Sequence, residues 1–145
     1  MYMSPEIATG DPQLDERSDV FSLGVLLFEM LTLHSFMDGA DVFEIKEKIL
    51  KKPYPLPREI APSRKIPRDL QALCMKALQR KQSKRYPNVL KFLEDLQKYR
   101  HGEEVSVYCY SGWEKLTRWN HRHAYLILSF LSAAAGAGIF ALFSR

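Results

Sequence analysis

Asp15-Glu16-Arg17-Ser18-Asp19-Val20-Phe21-Ser22-Leu23-Gly24-Val25-Leu26-Leu27-Phe28-Glu29-Met30-Leu31-Thr32 is the stretch on which the fold of this chain turns. Ser18 offers an N-cap hydroxyl, and Asp19 places a carboxylate in the first turn, where the helix dipole favours it. From Val20 to Leu31 apolar side chains fall on every face of the helix that follows, the pattern of a helix meant to be enclosed. With Glu29 inside it, the run is too short and too charged for a membrane span. The spacing therefore predicts a central core helix over 18–33 in a helical domain.

Working outward, Asp41 caps an amphipathic segment whose Val42, Phe43, Ile45, Ile49 and Leu50 share a broad face, and Pro53-Tyr54-Pro55-Leu56-Pro57 stops it. Pro67 opens a further helix with Leu70, Leu73, Cys74, Ala77 and Leu78 at helical spacing. After a polar turn, a last helix has Pro87 in its first turn and Val89, Leu90, Leu93 and Leu96 on one side, ending near Gly102. Four helices with short loops predict an all-α unit over 1–102. With 46% hydrophobic and 26% charged residues in 145, the chain has material for one modest core.

Beyond that unit the character changes. Residues 103–123 form a basic linker in which Ser111 and Glu114 have capping-box spacing, so a helix should begin there and run into a membrane. Residues 124–143 carry no charge, and at about 1.5 Å per residue they match the hydrocarbon thickness of a bilayer. The expectation is a single transmembrane helix, with Trp113 and Trp119 as interfacial anchors beside Arg118 and Arg122. Lys115, Arg118 and Arg122 outweigh Arg145, which places the helical domain in the cytoplasm by the positive-inside rule. Ser129, Ala133, Ala137 and Ala141 would give that helix a small-residue face through which it could pair as a homodimer.

The net charge of +4 is mild and scattered, which argues against a nucleic-acid partner. Cys74 and Cys109 lie far apart without metal-ligand spacing, as do His121 and His123, so no metal site is expected.

Two separated motifs add a family. Ser4-Pro5-Glu6 followed by Asp19-Val20-Phe21-Ser22-Leu23-Gly24 resembles the eukaryotic-type Ser/Thr protein kinases, from the end of the activation segment into the large lobe. The resemblance covers residues 1–102 and favours the bacterial, membrane-anchored members. It implies that Glu6 forms a buried ion pair with Arg85 and that Asp19 holds the catalytic-loop backbone. It also implies that Met3 and Ser4 shape the groove for substrate peptide. Gly24 belongs to the same structural motif.

A complete kinase needs a Gly-rich loop, a paired Lys and Glu, a catalytic-loop Asp and an Asp-Phe-Gly Asp for magnesium. The sequence contains no His-Arg-Asp, Asp-Phe-Gly or Gly-x-Gly-x-x-Gly. No catalytic, nucleotide-binding or metal residue is therefore assigned; ATP and magnesium are implied for the complete kinase only. The expectation is a membrane-anchored kinase fragment, begun on an internal Met and silent alone, left by truncation or a split gene. The alternative is a non-enzymatic, membrane-tethered module that docks protein substrates or complements a chain carrying the ATP site.

Overall fold

A computed structural model describes residues 2–122, with the side chains of 120–122 excepted. Among the described residues all regular structure is helical: α1 (Pro5–Thr9), α2 (Arg17–Thr32), α3 (Val42–Lys51), α4 (Pro57–Ile60), α5 (Arg68–Ala77), α6 (Val89–Arg100) and α7 (Gly112–Arg122). Single 3-10 turns cover Pro62–Arg64 and Gln82–Lys84. One compact unit runs to Tyr108, and a second begins at Cys109 and holds α7. No helix among the described residues is long and apolar enough to cross a membrane. The expected span over 124–143, with its pairing face, lies outside them.

The expected core helix is present as α2, and α4, α5 and α6 pack on it. Its start differs from the expectation. The helix begins at Arg17, whose N–H donates to the Asp15 carboxylate at 2.8 Å. Ser18 is drawn inward instead and donates its hydroxyl to Glu6 Oε1 at 2.7 Å. A buried carboxylate outcompetes a helix end for that hydroxyl because it has no water to turn to.

Phe21, Val25 and Phe28 of α2 form the core with Phe36, Ile49, Cys74 and Leu78. Phe36 sits at the centre, edge-on to Phe28 at 4.9 Å and to Tyr54 at 5.1 Å between ring centroids. Such pairs add about 0.5–1.5 kcal/mol beyond their burial. At Gly24 α2 passes close against the end of α5. A Cβ built there would lie 2.9 Å from the Cβ of Ala77 and 3.2 Å from Leu78, so only glycine permits this crossing.

The cover of α2 is incomplete, and two side-chain expectations are corrected. The α2 surface is not enclosed on all sides, since Met30 is 63% and Leu33 72% exposed and Leu26 is exposed with them. In α3, Val42 and Phe43 stand in solvent and only Ile49 is buried, because one narrow stripe suffices for a helix packed on one side. In α6, Leu90 and Leu93 are exposed and Phe92 is buried, edge-on to Tyr86 at 5.5 Å. Moreover, α6 starts at Val89, with the Asn88 side chain accepting from the Lys91 N–H, so Pro87 lies outside the helix.

Candidate functional site

The site is built where the chain's first helix meets the turn before its last core helix. α1 is a single turn opened by Pro5 at N1, whose fixed φ suits that position. It buries the Glu6 side chain against α2. From the other direction, the 3-10 turn Gln82–Lys84 delivers Arg85 in extended conformation. The two side chains are 5% and 0% exposed and meet in a fork, Nη1 to Oε1 and Nη2 to Oε2, each 2.7 Å.

Every donor of Arg85 is used. Nε donates to the Gln79 carbonyl at 2.6 Å, Nη1 to the Arg17 carbonyl at 2.8 Å, and Nη2 to the Arg80 carbonyl at 3.1 Å. The guanidinium also lies 4.9 Å over the Phe21 ring. Burial pushes the Glu6 carboxyl upward, but the hydrogen bonds from Arg85 and Ser18 outweigh it and bring the pKa down to about 2. A pair this well satisfied recovers its desolvation cost, which a half-satisfied one would not. The nest thus clamps α1, the start of α2 and the turn before α6 into one block.

That clamp sets residues 2–4. The Tyr2 hydroxyl donates to Glu29 Oε2 at 2.9 Å, and the Tyr2 carbonyl accepts from Ser22 Oγ at 2.8 Å. Met3 is partly buried against the core. Ser4 is wholly buried, and its Oγ has no hydrogen-bond partner among the described residues. Ser4 thus points into the unit, while Met3 is covered only in part and Tyr2 is half exposed.

Asp19 is exposed in the first turn of α2 and meets no partner among the described residues. The structure thus brings together Glu6 and Arg85 but leaves Asp19 apart, with Gly24 serving the α2–α5 contact. Trp113, Trp119, Arg118 and Arg122 all fall on α7.

Two further elements of the site were not read from the sequence. Ser18 reads locally as a helix cap, and its approach to Glu6 depends on an α1–α2 angle that no local pattern encodes. Arg80, taken as part of a polar turn, stacks 4.4 Å over Tyr54 and donates to the carbonyls of Ile49 (2.8 Å) and Lys52. It thereby caps the end of α3, where a cation is favoured.

Asp95, one helical turn past Phe92, is buried and accepts from the Tyr86 hydroxyl (2.9 Å), the Ser106 N–H (3.0 Å) and the Ser106 hydroxyl (2.6 Å). With Val105 also buried, this ties residues 103–108 to the helical unit. Burial, followed by the Asp95 charge and the hydrogen bond to it, pushes the Tyr86 hydroxyl far above its ordinary pKa.

Residues 1–96 match the protein kinase domain. The chain is 33% identical over 101 residues to the serine/threonine-protein kinase PknD of Protochlamydia amoebophila, covering 70% of this chain and 10% of that protein. It is 34% identical over 99 residues to the tyrosine-protein kinase MasK of Myxococcus xanthus, covering 68% and 15%. To PknD of Chlamydia felis it is 32% identical over 135 residues, covering 89% of this chain and 14% of that protein. The chain thus spans between a tenth and a sixth of the length of such bacterial kinases. A family match over well over half of its residues makes this chain a member of the protein kinase family.

Proposed function

We propose that the chain supplies the last helices of the large lobe of a bacterial, membrane-anchored Ser/Thr kinase, and that it performs no phosphoryl transfer alone. The observation that carries this reading is the buried Glu6–Arg85 clamp, which fixes α1 relative to the start of α2 and the turn before α6. Its chemistry is mechanical: it orients a backbone and moves no proton. Phosphoryl transfer is catalysed by positioned charges on a nucleotide and its magnesium, and the sequence contains no motif that would supply them.

The membrane anchor is assigned to residues 124–143, on their uncharged sequence and on the basic flank before them. The likeness to the Chlamydia felis kinase reaches over 89% of the chain, further than the kinase-domain match, which supports a common arrangement past the helical unit.

The exposed Leu26 and Met30 of α2, with Leu33 at its end, support a unit that completes itself against another kinase segment. The same strip serves the second reading, a docking module for a separate chain. Calorimetry of the purified chain with magnesium and ATP tests the proposal. The expected result is no saturable binding and no phosphorylation of a generic protein substrate; saturable magnesium-dependent binding overturns it.

A further inference from the structure

Helix α7 has two unlike sides. Its start is well defined: the Ser111 N–H donates to Glu114 Oε2 at 2.8 Å and the Glu114 N–H to Ser111 Oγ at 3.3 Å, a complete capping box. At 100° per residue, Trp113, Leu116 and Trp119 fall within an arc of about 120°, and all three are exposed, Trp113 at 74%. Lys115 and Arg118 lie about 60° apart on the remaining side. The Arg118 guanidinium is 4.7 Å over the ring of Tyr110, adding an aromatic to that edge.

A helix with large aromatic and aliphatic side chains on one side and the charged Glu114, Lys115 and Arg118 on the other does not match the enclosed core of a bundle, which would desolvate the charges. Nor does it match a membrane-crossing helix, which would carry the cations into hydrocarbon. It matches the boundary of a bilayer, with the rings among the upper acyl chains and the cations at anionic headgroups.

We propose that α7 binds in the plane of an anionic phospholipid surface, so that Trp113 and Trp119 sit at one shallow depth. This rests on the membrane reading above but departs from the expectation that the helix runs on into the bilayer. If α7 stood along the membrane normal, six residues at about 1.5 Å each would separate its tryptophans by about 9 Å in depth.

The chain has only these two tryptophans, so Trp113→Phe and Trp119→Phe each leave a single reporter on α7. The full chain would be combined with phosphatidylcholine vesicles, with or without phosphatidylserine, carrying bromine on the upper or the lower half of the acyl chain. Both reporters should be quenched equally, by upper-chain bromine and more strongly with phosphatidylserine present. Lys115→Glu combined with Arg118→Glu should abolish that phosphatidylserine dependence, each charge being worth about fivefold in surface affinity.

A depth difference near 9 Å between the reporters would overturn the in-plane placement while leaving the membrane reading intact. Vesicle-bound chain with neither reporter quenched would overturn it in favour of a protein partner for the tryptophan side. Chain that fails to float with vesicles of either composition would overturn the membrane reading and this inference together.

Discussion

Arg85 makes five hydrogen bonds from a position with no access to water. Replacing it by alanine strands the Glu6 carboxylate and three carbonyls, and Arg85→Ala should destabilise the unit by about 3–5 kcal/mol. A solvent-exposed pair would lose about 0–1 kcal/mol, so denaturant unfolding of residues 1–108 separates the two cases. The same carboxylate sets an acid limit. Its pKa is about 2 in the folded chain against an ordinary 4.5. A depressed pKa means that the folded state holds the proton less tightly than the unfolded one. The stability from this ionisation is therefore complete above about pH 4.5 and lost as pH falls toward 2. Unfolding midpoints measured across that window should fall steeply, and Glu6→Gln should flatten the dependence.

At the scale of elements, the α2–α5 crossing and the strap over α6 make separate demands. Gly24→Ala would gain up to about 1 kcal/mol in helix propensity, but the added methyl meets the Ala77 Cβ at 2.9 Å, where no flexible side chain can yield. Overpacking of this kind costs about 1–3 kcal/mol, so a lower melting temperature is expected, with partial recovery when Ala77→Gly is added. The strap depends on Asp95. Asp95→Ala leaves the buried Tyr86 hydroxyl without its acceptor, at about 1–3 kcal/mol, and frees the Ser106 N–H. Amide exchange at Ser106 should accelerate more than exchange within α5, because the strap opens without unfolding the core. Uniform acceleration across both would show that strap and core unfold as one.

Over the whole molecule, the open strip on α2 is the feature a self-contained domain would be expected to cover. Contiguous apolar surface beyond a few hundred Å² is uncommon on a soluble monomer and marks an interaction site. Residues 1–108 should accordingly bind a hydrophobic dye and self-associate. Met30→Glu should reduce both at little cost in stability, since that side chain is already in solvent. Supplying the preceding part of a kinase large lobe in trans should suppress both as well. A monomeric, dye-negative unit that unfolds cooperatively would favour the independent docking module.

Local pattern was enough to find α2, α3, α5, α6 and the capping box of α7, because each is long or carries a side chain that bonds its own backbone a few residues away. The motifs also pointed correctly to Glu6 and Arg85 as a pair. Pattern failed where a residue's partner is distant in the chain. Ser18 serves Glu6 instead of a helix end, Asp95 is buried because Tyr86 and Ser106 reach it, and Ser4 turns inward. One-turn helices such as α1 and α4 are held by their surroundings, since nucleation makes so short a helix unstable alone. Which apolar faces are covered was likewise not set by local pattern: α2 carries apolar side chains on every face, yet Met30 and, at its end, Leu33 reach solvent because no other element among the described residues packs over them. Periodicity tells which side chains need cover, and the tertiary arrangement decides which receive it.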